Sequence, residues 1–200
     1  MGGEPVPVSL QDRLSARLDH DAEAGSPRAE AGRPAAVLAL VAMVADEPSI
    51  LLMERAAALR RHAGQPALPG GARDARDGTL WDTAVREAGE EAGVRDGGIR
   101  RLGRLPSLYI TVSGFRVTPW VAAAVLPVFP EAEVGEVAKL FWVPVHRLRA
   151  VQDSERIPGR GNQLYRVFPL PEEGVRVWGA TAWILDQLLR RWPQDDASGS

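Results

Sequence analysis

The chain has no cysteine, which excludes disulfides, thiolate metal sites and cysteine nucleophiles and is compatible with a reducing compartment. It also has no apolar run long enough to cross a bilayer. The longest, Ala35 to Val44, reads as a buried strand. No signal-peptide pattern is read near Met1, so a cytoplasmic location and no membrane partner are expected. An excess of charge of one sign is missing too: the net charge of −2 predicts no general affinity for nucleic acid or anionic lipid. His20, His62 and His146 are widely separated and lack HExxH spacing, so all three read as surface or structural residues. There is no P-loop and no dinucleotide-binding glycine pattern. Ser113, in SGF, has no nucleophile elbow around it and reads as a turn residue.

What is present is concentrated between residues 70 and 94, GGARDARDGTLWDTAVREAGEEAGV. Thr79 with Asp82 resembles a capping box, and Gly93 stands where a left-handed C-terminal cap belongs, so a helix is predicted between them. On that helix Trp81, Ala84, Val85, Ala88 and Ala92 form an apolar arc, while Glu87, Glu90 and Glu91 centre about 120° away from it. Residues three and four apart on a helix are about 5–6 Å from one another, so the three acids repel unless protons or a divalent cation neutralise them. Hard oxygen ligands suit magnesium or manganese. Arg86, four residues before Glu90, pairs with it and fixes its direction. Taken alone such a charge run is a solvated helix face, and Gly70 and Gly71 alone are an ordinary tight turn.

Together, Gly70, Gly71, Arg86, Glu87, Glu90, Glu91, Gly93 and Val94 resemble the Nudix box, whose core reads REUXEEXGU with U apolar. The loop departs from the common pattern: Asp77 stands where a glutamate is usual, and Arg86 arrives one residue late. Either Asp74 or Asp77 is left to do the missing acid's work. A lengthened loop beginning GGxxD is similar to the coenzyme A diphosphatase branch of the Nudix hydrolases. The upstream stretch from Leu51 to Gly71 also resembles that branch's LLTxR[SA]xxxRxxxGxxxFPGG, with Arg55, Ala56, Arg60, Gly64, Pro69, Gly70 and Gly71 in register. Met53 stands in place of its threonine and Leu68 in place of its phenylalanine. SGFRVTPWV from Ser113, GEVAKLFWVPV around Glu136 and VWGATAWIL from Val177 look like the same branch.

The resemblance implies an α/β/α sandwich with a mixed sheet and hydrolysis of the diphosphate of coenzyme A or acyl-coenzyme A, giving adenosine 3′,5′-bisphosphate and 4′-phosphopantetheine or its acyl form. Glu87, Glu90 and Glu91 are then the metal ligands for Mg2+ or Mn2+. Glu87 is ligand or base, Arg86 and Glu136 are accessory catalytic residues, and Gly70 and Gly71 shape the substrate loop. Arg55 and Arg60 are read as binding substrate phosphates, where a guanidinium meets two oxygens at once; the other reading is a surface ion pair. The tryptophans read mostly as core residues, with Trp120 or Trp142 the candidates to touch the adenine or pantetheine arm. Two further functions stay open: the same chemistry on ADP-ribose, NADH or a nucleoside triphosphate, and a Nudix-fold module that binds a nucleotide without cleaving it.

A chain of 200 residues with 45% hydrophobic content buries one core, so one domain is expected over residues 35–192. Before it, residues 1–34 hold a short helix from Ser9 to about Leu18 and a mobile connector from 21 to 34; residues 193–200 fray. Ala35–Val44 and Ile50–Arg55 make a hairpin turning through Asp46, Glu47 and Pro48. Strands follow near Arg100–Val112, Phe115–Val125, Leu140–Val143 and Tyr165–Phe168, and a helix from Ala180 to Arg191 closes the chain. A monomer or homodimer acting on a small nucleotide-diphosphate substrate is expected.

Overall fold

The computed structural model describes residues 2–20, 32–57, 64–158 and 164–194. In chain order they form α1 (Val8–Ser15), β1 (Arg33–Val44), β2 (Glu47–Arg55), β3 (Pro66–Ala67), β4 (Gly70–Ala72), α2 (Leu80–Ala92), β5 (Ile99–Arg104), β6 (Leu108–Ile110) and β7 (Phe115–Ala124). β8 (Val137–Pro144), α3 (Val145–Val151), β9 (Glu155–Pro158), β10 (Leu164–Leu170), β11 (Val175–Val177) and α4 (Gly179–Arg191) complete them.

β1 lies at the centre, and its sequence shows why. A strand covered on both faces reads as a continuous apolar run, not as an alternation. Ala35, Ala39 and Val41 face one core with α1, α3 and α4, whereas Ala36, Leu38, Leu40 and Ala42 face another under α2. β1 pairs in parallel with β7, Arg33↔Phe115 through Val41↔Ala123, and antiparallel with β2 and β4. The mixed sheet runs β3-β2-β1-β7-β5, with β8 on β2 and β6 on β7, and a separate three-stranded sheet is ordered β11-β10-β9. Helices cover both faces of the main sheet, which is an α/β/α sandwich.

The hairpin turns one residue earlier than predicted. Ala45 and Asp46 occupy left-handed backbone, φ 51° and 64°, so a two-residue turn joins Val44 to Glu47. Glu47 and Pro48 therefore belong to β2. The single strand predicted over Arg100–Val112 divides into β5 and β6 around Leu105–Ser107. The first helix ends at Ser15, short of Leu18, although Leu14 and Leu18 are both buried in the core that holds Val6. The predicted connector lies mostly outside the described residues. On α2, Ala84, Ala88 and Ala92 are fully buried. Small side chains at this spacing let the helix axis approach the sheet closely, and this brings its glutamates beside β4.

Candidate active site

Both ends of α2 are fixed by local chemistry. The Thr79 hydroxyl accepts from Asp82 N–H (3.1 Å) and the Asp82 carboxylate accepts from Thr79 N–H (2.8 Å), a complete capping box. Gly93 ends the helix with φ 65°. The helix thus presents Glu87, Glu90 and Glu91 toward one open cleft of about 330 Å³, whose lining also includes Glu133 and Glu136.

Each of these acids is held differently. Glu91 is 4% exposed; its carboxylate accepts from Gly70 N–H at 2.8 Å and from Arg55 Nη1 at 3.2 Å. Burial pushes its carboxyl up to about 7 against the opposing pull of Gly70 and Arg55. Glu87 is half-buried, and burial likewise raises its carboxyl above the ordinary range. Glu90 is exposed. Arg86 Nη1 reaches Glu87 Oε1 at 2.8 Å and Glu90 Oε2 at 2.9 Å, so one nitrogen links both carboxylates.

Arg86 is itself anchored by Asp77, which settles which acid of the lengthened loop meets the arginine. Its Nε and Nη2 donate to the two Asp77 oxygens at 3.0 and 3.1 Å, a bidentate pair, and Nη2 also donates to the Ala72 carbonyl at 3.2 Å. Asp77 Oδ2 further accepts from the Thr83 hydroxyl and from Asp74 N–H, both at 2.9 Å. These donors hold the Asp77 carboxyl well below the usual carboxylate range, Arg86 contributing most. Asp74 instead faces solvent and pairs with Arg76 at 3.1 Å.

The two glycines serve separate steric needs. Gly70 has φ 154°, and a Cβ there would lie 2.3 Å from the Ala36 carbonyl oxygen and 2.5 Å from Val37 Cα. At Gly71 a Cβ would lie 2.5 Å from the Glu87 carboxyl carbon. A methyl at Gly71 meets only the mobile end of a side chain, whereas at Gly70 it meets backbone. Gly71→Ala is therefore expected to keep the melting temperature near wild type while displacing Glu87 and lowering kcat by roughly 10²-fold, the cost of misplacing a reacting group by about 1 Å. Gly70→Ala lowers the melting temperature instead; thermal denaturation and steady-state kinetics on the two variants separate the effects.

Other residues singled out by sequence fall in varied places. Glu136 is exposed on the facing wall of the cleft, and its backbone carbonyl accepts from Ala56 N–H at 2.9 Å. Arg60 and His62 lie outside the described residues. His146 pairs with Glu47 at the surface, and His20 contacts the Ser15 carbonyl. Ser113 N–H donates to the Ile110 carbonyl within the β6–β7 turn. Trp120 is a core residue, 3% exposed and edge-on to Trp81 with ring centroids 5.7 Å apart. Its position in β7, where even-numbered residues face α2, puts it inside the sandwich. Glu133, which sequence reasoning missed, reaches the cleft because its N–H donates to the Glu91 carbonyl at 3.2 Å. Its only sequence signal was the acidic run EAEVGE.

Among the described residues, no three Asp, Glu or His side chains converge as they stand on a single point fit for an ion; Arg86 links two of the carboxylates instead. The donor set is nevertheless all carboxylate oxygen, and the buried Glu91 is a charge that a neighbouring cation would stabilise. That chemistry fits a hard divalent ion exchanged for the Arg86 contacts.

A family model described as the NUDIX domain matches residues 32–164. The protein named "Uncharacterized Nudix hydrolase NudL" of Pectobacterium atrosepticum is 40% identical over 142 residues, 70% of this chain and 73% of that protein. Its namesake in Cronobacter sakazakii is 41% identical over 160 residues, 78% of this chain and 81% of that one. Among solved structures, a MutT/nudix family protein from Enterococcus faecalis shares the fold with a TM-score of 0.51 at 18% identity, over 82% of this chain and 63% of its own. The match reaches from the central strand through the capped glutamate helix and beyond the acidic wall that faces it, and on that ground the chain belongs to the Nudix hydrolase family.

Proposed function

We propose that this Nudix hydrolase cleaves the diphosphate of coenzyme A or its acyl thioesters, giving adenosine 3′,5′-bisphosphate and 4′-phosphopantetheine or its acyl form, with magnesium or manganese as cofactor. The observation that carries the hydrolytic reading is the five-glutamate cleft with the backbone of Gly70 beneath it. Glu87, Glu90 and Glu91 would hold the ion. When bound, it supplies charge neutralisation at the diphosphate oxygens and lowers the pKa of water.

The chain's own residues prepare the rest. Asp77 fixes Arg86, and Arg86 holds Glu87 and Glu90 at the cleft until its contacts pass to the ion. Gly70 N–H and Arg55 fix Glu91. In the reaction a water oxygen bonds to one phosphorus, the bridging P–O bond breaks, and the water's proton passes to a carboxylate, for which Glu87 serves as base if it is not consumed as a ligand. Glu136 and Glu133 supply auxiliary acids from the opposite wall. Arg55, which donates to Glu91, and Arg60 are assigned to the substrate's phosphates.

The coenzyme A reading is supported by the register of Leu51–Gly71 with that branch's motif. Both departures from the motif are buried, Met53 at 0% and Leu68 at 3% exposure. Neither is among the residues that line the glutamate cleft, so neither change removes a carboxylate from it. The test is a panel of coenzyme A, acetyl-coenzyme A, ADP-ribose, NADH and a nucleoside triphosphate with Mg2+ or Mn2+, products identified by mass spectrometry. Coenzyme A is expected to yield the two named products. Cleavage of ADP-ribose with coenzyme A untouched would overturn the substrate, and binding without any cleavage would overturn the enzyme.

A further inference from the structure

The wall of the cleft opposite α2 is an irregular stretch, residues 125–136, held above the helix by a set of backbone hydrogen bonds together with the buried Val128 side chain. At one end Val125 N–H donates to the Gly98 carbonyl at 2.9 Å. Toward the other, Glu131 and Glu133 N–H donate to the carbonyls of Ala92 and Glu91 at 3.1 and 3.2 Å, satisfying acceptors that the end of a helix leaves unpaired. Between these anchors Val128, whose side chain is buried, exchanges both of its backbone hydrogen bonds with Gly3, each 2.7 Å long. The neighbouring Glu4 exchanges its own pair with Met43 in β1, at 2.7 and 2.9 Å.

Residues 3 and 4 therefore tie the middle of the acidic wall to the central strand of the sheet. The fit is close. A Cβ at Gly3 would lie 2.6 Å from the Ala42 methyl and 2.9 Å from the Trp142 ring, and one at Gly2 would lie 2.6 Å from the Phe129 ring. Freed from Gly3, Val128 would keep a buried N–H and carbonyl without partners, so strap and wall move as one body.

The geometry points to residues 2–4 as a positioning strap: Gly3 and Glu4 hold the 125–136 wall at the height that puts Glu133 and Glu136 on the glutamate cleft. This rests on the reading of that cleft as a metal-assisted hydrolytic site. None of the strap residues touches the glutamates of α2; they act through the wall.

Gly3→Val and Glu4→Pro test it, the first by steric exclusion and the second by removing the N–H that donates to Met43. Glu4→Ala, which keeps that N–H, is the control. Hydrogen exchange without metal is expected to quicken in residues 125–137 and at Met43, whose N–H donates to Glu4, in both variants, while α2 and the rest of β1 exchange as in wild type. Mn2+ affinity, read by electron paramagnetic resonance, is expected to weaken roughly tenfold, the scale on which outer supports of a metal site act. Glu4→Ala should match wild type in both. If Gly3→Val fails to fold, Glu4→Pro decides alone. Unchanged exchange of the wall in Glu4→Pro would overturn the strap, as would wild-type Mn2+ affinity in that variant. A wild-type protein that binds no Mn2+ would instead overturn the metal reading of the cleft, and the exchange data would still judge the strap.

Discussion

Glu90→Gln is expected to lower kcat by roughly 10²- to 10⁴-fold, the range seen when a catalytic carboxylate is removed, and to leave the protein folded. The two parts of that outcome have separate causes. Glu90 lies outside the apolar arc and is exposed, so its contribution to stability is limited to a surface pair with Arg86, worth about 0.3–0.5 kcal/mol. Its contribution to the reaction is a negative charge pointed at the cleft, which the amide lacks. A loss of 10²-fold corresponds to about 2.7 kcal/mol of transition-state stabilisation, several times the expected stability change. Steady-state kinetics with saturating Mn2+, beside a thermal melt, read both. Near wild-type kcat would contradict the assignment of Glu90 to the metal.

Asp77→Ala carries the largest expected effect on stability. Its carboxylate is buried, takes both arms of Arg86, and also accepts from Thr83 and the Asp74 backbone. Removing it leaves a guanidinium that is only 21% exposed without its main partner. Breaking such a pair typically costs 3–5 kcal/mol when fully buried, and partial exposure of Arg86 places this case near about 3 kcal/mol. For a chain of this size that lowers the melting temperature by roughly 6–12 °C. Activity should fall too, because Arg86 then has no anchor to hold it when the ion takes over its contacts with Glu87 and Glu90. The sign of the pH dependence follows from the same contacts. The folded carboxyl titrates below its ordinary 3.8, so the stability it contributes is complete above about pH 4 and declines as pH falls toward the folded value. In Asp77→Asn this part of the acid sensitivity disappears. Urea denaturation of wild type and variant at pH 7 and pH 3 checks both statements: equal midpoints at pH 7 would show that Asp77 is not the anchor.

The helix that organises the site was legible because its signals are local. Thr79, Asp82 and Gly93 act within a few residues of the helix ends, and Ala84, Ala88 and Ala92 repeat at helical spacing, so spacing alone marks start, stop and buried face. The central strand was legible for a similar reason, since only an element covered on both faces tolerates the run from Ala35 to Val44. What escaped depends on partners distant in the chain. α3 is only seven residues long and starts after Pro144 without a side-chain cap, too short to show a period. β3, β9 and β11 are two to four residues each and exist through pairing with other strands. The lengthened loop offered Asp74 and Asp77 equally, and what decides for Asp77 is its set of contacts in the fold, the bidentate pair with Arg86 and the bonds from Thr83 and Asp74 N–H. Glu133 enters the cleft through a backbone bond to Glu91, which no side-chain pattern advertises. Trp120 read from sequence either as core or as a ligand contact, and the alternation of β7 places it in the core.

The central claim is that Glu87, Glu90 and Glu91 gather around a hard divalent ion within reach of a diphosphate. A crystal of the full chain soaked in manganese tests it most directly. An anomalous difference peak within coordination distance of those three carboxylates, with Arg86 withdrawn to Asp77, is the predicted result. A map with no peak in the cleft, and Arg86 still bridging Glu87 and Glu90 at saturating manganese, would contradict it.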